Sequence, residues 1–155
     1  ITASTAGIAK MIKKLADEGA KVNLALSLHA ANDDKRNEIM PINDQNGIDI
    51  LMDALEYFYT KTKNRITYEY LALEGFNDSV EDAKQLAALT KRFTVRVNVI
   101  EYNTVVTIDF HKTSEKQLNL FANTLTRHDV NLTIRKSRGK DIDAACGQLA
   151  NAEVV

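Results

Sequence analysis

Cys146 is the only cysteine of the 155-residue chain, in the run Gly139-Lys140-Asp141-Ile142-Asp143-Ala144-Ala145-Cys146-Gly147-Gln148-Leu149. A thiolate is the most nucleophilic side chain at hand near neutral pH, and the adjoining Gly147 lets a second molecule come close. That pairing suits an attacking or carrying thiol. It also suits a small buried hydrophobe, because free cysteine is among the most buried residue types. Ile142, Ala145 and Leu149 form a helical face that leaves Cys146 at its margin. Arg135, Lys136, Arg138 and Lys140 crowd the approach and favour the thiolate, while Asp141 and Asp143 oppose them. The segment therefore predicts a reachable thiol of no particular acidity.

A second group of polar residues lies where strands are expected to end. Ser27-Leu28-His29 closes one extended run, Asn103 follows another, and Ser4 stands near the start of the first helix. Hydroxyls, an imidazole and an amide can hydrogen-bond a ribose, a carboxylate or an adenine edge. Taken singly, each has an ordinary structural explanation: a helix cap, a satisfied histidine, a loop amide. Ser27 and His29 alternate to one face of an extended chain. No G-x-S-x-G elbow surrounds the serine, so a nucleophile pair is not expected. Glu69 and Asp143 form no evident carboxylate pair. A glycine-rich phosphate loop, an H-E-x-x-H motif and a cysteine cluster are all missing from the sequence.

The elements that would carry these groups follow from periodicity. Ile8, Met11, Ile12 and Leu15 keep the i, i+3, i+4, i+7 spacing of an amphipathic helix. So do Leu51, Ala54, Leu55 and Phe58; Ala83, Leu86, Ala87 and Thr90; and Leu118, Phe121, Ala122 and Leu125. Ser4 or Thr5, Ser79 and Thr113 are the expected N-caps, with Gly19 just past the first helix. Extended runs rich in β-branched and aromatic residues span 22–28, 65–73, 94–102 and 130–135.

Helix and strand thus alternate four times, which predicts right-handed βαβ crossovers and an α/β fold with a mostly parallel sheet. Parallel strands covered on both faces read as unbroken apolar runs. Here Asn23, Ala25 and Ser27 alternate with Val22, Leu24 and Leu26. Thr67 and Glu69 alternate with Ile66, Tyr68 and Tyr70, and Arg96 and Asn98 with Val95, Val97 and Val99. One face is polar. It either lines the lumen of an incomplete (β/α) barrel or simply meets water.

Composition bounds the rest. With 45% hydrophobic and 26% charged residues the chain fits one globular domain, 1–155, without repeats or linkers. No apolar stretch approaches a membrane span and no secretory leader opens the chain. A single cysteine suits a reducing, cytoplasmic setting. A net charge of -1 gives no global pull on nucleic acid, so any RNA contact must be local, with the run from Arg135 to Lys140 as the one basic patch. The chain opens on Ile1, not methionine, which suggests a piece of a longer protein.

Several motifs together carry a resemblance. Gly139 to Leu149, Ser27-Leu28-His29-Ala30, Met40-Pro41-Ile42-Asn43, the Ser4-Thr5 turn, Gly75 to Ser79 and Val97 to Asn103 occur in one order, and the set closely resembles the RlmN/Cfr family of radical SAM RNA methyltransferases. The resemblance spans almost the whole chain. It implies the C-terminal part of a partial, TIM-like (β/α) barrel that methylates carbon 2 of adenine in 23S ribosomal RNA, and in transfer RNA in the RlmN branch.

By the same resemblance Cys146 accepts a methyl group from S-adenosylmethionine. Ser4, Ser27, Leu28, His29 and Asn103 look like contacts to that cofactor. The family's [4Fe-4S] cluster is held through C-x-x-x-C-x-x-C, and its ligands are absent from this chain. After Asn103, the run Thr104 to Phe110 has neither the proline nor the glycine usual in the family. A fragment of this kind is expected to be inactive alone and to self-associate through an open sheet edge. The rival expectation is a non-catalytic α/β module that binds RNA or a nucleotide, with Cys146 merely packed.

Overall fold

The computed structural model describes residues 1–102 and 109–136. Five parallel strands form one sheet: β1 Thr2–Thr5, β2 Asn23–Ser27, β3 Ile66–Ala72, β4 Arg96–Glu101 and β5 Leu132–Arg135. They lie side by side in sequence order, β1-β2-β3-β4-β5. Helices α1 Ala9–Asp17, α2 Asp33–Ile39, α3 Ile48–Thr62, α4 Val80–Ala88 and α5 Glu115–Arg127 fill the connections, and a 3-10 turn, Pro41–Asp44, joins α2 to α3.

Strand order decides the architecture. When every crossover steps to the next strand in the same direction and turns right-handed, all the helices land on one face of the sheet. A doubly wound sheet needs a reversal of order, and this one has none. The result is an open, barrel-like wall: the α/β fold with a parallel sheet expected from the alternation, curved as the resemblance implies.

The helix-covered face is the core. Leu24 and Leu26 of β2, Ile66, Tyr68 and Tyr70 of β3, and Val97 and Val99 of β4 are buried against Ile12, Leu51, Leu55, Phe58, Leu86 and Phe121. Each large apolar side chain removed from water contributes about 1.5–3 kcal/mol. The two buried tyrosines keep their hydroxyls satisfied: Tyr68 donates to the Leu89 carbonyl at 2.9 Å and Tyr70 to the Asn77 carbonyl at 2.6 Å. Tyr70 also stacks on Phe121, with ring centroids 5.3 Å apart.

The other face carries the polar residues in register across the strands. Ser4, Ala25, Thr67 and Arg96 form one row, and Ser27, Glu69, Asn98 and Thr133 the next.

Several local expectations are met. Gly19 follows α1 at φ 64, and Ser79 caps α4 in a reciprocal capping box with Asp82. Two caps differ. Ser114, not Thr113, caps α5, accepting from the Gln117 N–H at 3.2 Å. Ser4 and Thr5 belong to β1 and do not cap α1. Instead the Asn46 side chain accepts the Ala9 N–H at 2.9 Å, reaching back from the segment before α3.

Two elements went unread in the sequence. β1 is only four residues of Thr, Ala and Ser, a composition that reads as a capping turn until β2 pairs with it. α2 offers no apolar stripe. Its signals are the Asn32 cap, which accepts from Lys35 N–H at 2.9 Å, and two acidic residues in its first turn.

Candidate functional site

At the carboxyl end of β2 the chain changes direction sharply. Ser27 ends the strand, Leu28 turns into the core, and His29 adopts φ 58, a left-handed conformation rare outside glycine. The strand alternation that would set Ser27 and His29 on one face therefore stops at His29. Three sets of bonds hold this bend. Leu28 and His29 donate their N–H groups to the Glu69 carbonyl at 3.0 and 3.3 Å. The buried Asn77 amide donates to the carbonyls of His29 and Leu71, both at 2.7 Å, and accepts the Leu73 N–H at 2.8 Å. Arg36 provides the third.

Arg36 is fully buried, and its guanidinium is spread over four acceptors. Nε donates to the Leu28 carbonyl at 3.0 Å. Nη2 donates to the carbonyls of Ser27 at 3.0 Å and Ala6 at 2.7 Å, and Nη1 to the Asn43 side chain at 2.8 Å. Asn43 passes the network on to Asp33 and Asn37. Burial pulls Arg36 down to about 10, with Asp33 working the other way, so it stays charged at neutral pH. Gly7 explains part of the tight fit: it takes φ 106, and a Cβ there would come within 3.1 Å of Nη2.

His29 is half-buried and its pKa falls to about 4, first because burial disfavours the imidazolium and second because Arg36 is positive. Geometry gives the same protonation state. Nδ1 accepts the Leu71 N–H at 2.9 Å, so it carries no proton. The neutral ring must hold its hydrogen on Nε2, which presents a fixed donor with no partner among the described residues.

Ser27, Leu28 and His29 are thus brought together at one rim of the polar face. Ser4 is exposed on the neighbouring β1, in the row next to that of Ser27. Its place is inside a strand, not at the start of a helix. Leu28 is fully buried, with its N–H and C=O both engaged within the chain. Asn103 and Cys146 lie outside the described residues, as does all of the basic patch beyond Arg135 and Lys136, which are exposed.

Arg36, Asn43 and Asn77 were not picked out by reasoning on single residues. The signal available was the 3-10 turn announced by Met40-Pro41 and the Gly75-Phe76-Asn77-Asp78 turn, both loop motifs without an apolar period.

The polar face suits part of a nucleoside cofactor. The hydroxyls of Ser4 and Ser27 have no partner among the described residues, His29 offers a donor, and one carboxylate oxygen of Glu69 is buried without a donor. An iron-sulfur cluster is a different matter. Among the described residues no group of three or more His, Cys, Asp or Glu could hold a metal ion, and one cysteine cannot supply a three-thiolate ligand set. Two open hollows, about 510 and 400 Å³, sit at the other end of the sheet around Asn23, Asn64 and Thr94, where stability is the usual role.

No family model matches the chain. Curated relatives do. It is 53% identical over 154 residues to a probable dual-specificity RNA methyltransferase RlmN of Cytophaga hutchinsonii, covering 99% of this chain and 42% of that protein. A protein of the same name from Salinibacter ruber is 48% identical over 153 residues, again with 42% of its length covered. Over nearly its whole length the chain is similar to RlmN proteins.

It spans about two fifths of the RlmN relatives it matches. The crystal structure of a radical SAM methyltransferase from Sphaerobacter thermophilus superposes with a TM-score of 0.91 at 40% identity, over 96% of this chain and 43% of that one. A domain of a pyruvate-formate lyase-activating enzyme from Bacteroides vulgatus shares the fold alone, with a TM-score of 0.62 at 13% identity over 86% of this chain and 80% of that one.

Proposed function

We propose that this chain is the C-terminal part of an RlmN-type radical SAM methyltransferase that modifies carbon 2 of adenine in 23S ribosomal RNA and in transfer RNA. The observation that carries the reading is the rim at Ser27-Leu28-His29. It combines unpartnered donors and acceptors with a backbone fixed by Arg36 and Asn77, at the strand ends where ligands of such folds bind. Relatives named as RNA methyltransferases and a radical SAM neighbour support it. The single cysteine suits a cytoplasmic enzyme.

In this reading Ser4, Ser27, His29 and Asn103 hold S-adenosylmethionine, and Leu28, buried and bonded within the chain, fixes the bend between Ser27 and His29. When bound, that cofactor supplies the methyl group, and together with a cluster held elsewhere in the longer protein it supplies the radical. The chain's residues do the positioning. Ser4 and Ser27 offer hydroxyls from adjacent strands, and His29 donates from Nε2 without taking part in proton transfer, since its Nδ1 is committed to the Leu71 N–H. The Cys146 sulfur, as thiolate, would take the methyl carbon as its bond to the cofactor's sulfonium breaks, releasing S-adenosylhomocysteine, and would hold that carbon for delivery to RNA.

The test uses the full-length enzyme loaded with cluster. Cys146→Ala is expected to abolish RNA methylation, and mass spectrometry of the wild-type protein is expected to find a methylated Cys146. Normal methyl transfer by the variant sinks the carrier role.

A further inference from the structure

Glu69 stands in the middle of the polar face, between Ser27 of β2 and Asn98 of β4 in the same row. Asn98 donates from Nδ2 to Oε1 at 3.1 Å. Oε2 is shielded from solvent and receives no hydrogen bond from the described residues. A buried acceptor left without a donor is costly, and more so when it is charged. Oε2 is thus an acceptor open to a donor from a bound molecule.

The neighbours say what kind. Ser27 is paired directly with Glu69, and adjacent strands run about 4.8 Å apart. Its hydroxyl, too, lacks a partner among the described residues. A carboxylate acceptor beside a free hydroxyl matches two adjacent hydroxyls of a sugar, one donating to Glu69 and the other meeting Ser27. One step toward the rim on the same face stand Leu71 and Ile100, which are paired with each other across β3 and β4. Such an apolar step suits a flat base and not a charged tail.

We propose that Glu69 is a further nucleoside-binding residue, its carboxylate accepting a hydrogen bond from a ribose hydroxyl. The proposal rests on the reading that this face takes the nucleoside part of S-adenosylmethionine. It adds a sugar-reading carboxylate to the rim residues.

The test is an NMR titration of the full chain with adenosine and, separately, with 2′,3′-dideoxyadenosine. Glu69→Gln keeps the shape and removes the charge. It is expected to weaken adenosine about tenfold, the size of one hydrogen bond to a charged group, and to leave the dideoxy analogue unchanged. Equal losses for both ligands, or no loss for either, overturn the proposal while the pocket reading stands. Failure of the unaltered chain to bind either nucleoside overturns both. Should Glu69→Gln fail to fold, Asn98→Leu serves in its place. It frees the carboxylate from its orienting donor, and about a threefold loss confined to adenosine is expected; a loss shared by the dideoxy analogue counts against the proposal.

Discussion

His29 joins a left-handed backbone to a single permitted tautomer, and its protonation is therefore a matter of stability. Its folded pKa of about 4 lies below the ordinary value of 6.5, so between those pH values the unfolded chain binds the extra proton and the folded chain does not. The stability that His29 contributes is complete above pH 6.5 and is lost as pH falls toward 4. Urea unfolding of the wild type should weaken across that window by on the order of 2–3 kcal/mol more than that of His29→Gln, whose amide oxygen can still accept the Leu71 N–H. Parallel pH profiles for the two proteins would count against this account. Above pH 6.5 the ring is a constant donor, and ligand binding at the rim should vary little between pH 7 and 8 on its account.

At the scale of elements, α2 reaches the strand ends of the rim through Arg36. Arg36 connects the ends of β1 and β2 with the 3-10 turn, so Arg36→Met leaves four acceptors without their donor. A loss of about 3 kcal/mol or more in unfolding free energy is expected, and Arg36→Lys should recover only a minor part because an ammonium cannot fork. Chemical denaturation of the three proteins measures this; near-normal stability of Arg36→Met would refute it.

The same element shows where sequence reading stops. Stripes such as Leu51, Ala54, Leu55 and Phe58 declare a helix because burial is periodic, and the alternation in β3 declares a strand with one polar face. α2 is seven residues, mostly charged, and is held by a polar network whose members come from α2 itself and the 3-10 turn that follows it. Nothing periodic marks it. Ser27, Leu28 and His29 could be placed at a strand end from pattern alone. The bend that aims His29, and the Asn77 clamp from 48 residues away, needed the third dimension.

For the whole molecule, the described sheet ends at β1 on one side and β5 on the other. β1 is short and polar, yet its outer edge offers unpaired backbone groups to any strand that approaches. Sedimentation of the chain from micromolar to near-millimolar concentration should reveal growing association; an unchanging monomer would argue that the edge is protected. The strand order has a last consequence. Because each stave of this wall is laid beside the one made just before it, every crossover between the described strands closes on its immediate neighbour. The two staves that carry the rim, β2 and β3, are thus made one after the other and meet edge to edge, so the rim can take shape without waiting for a distant strand.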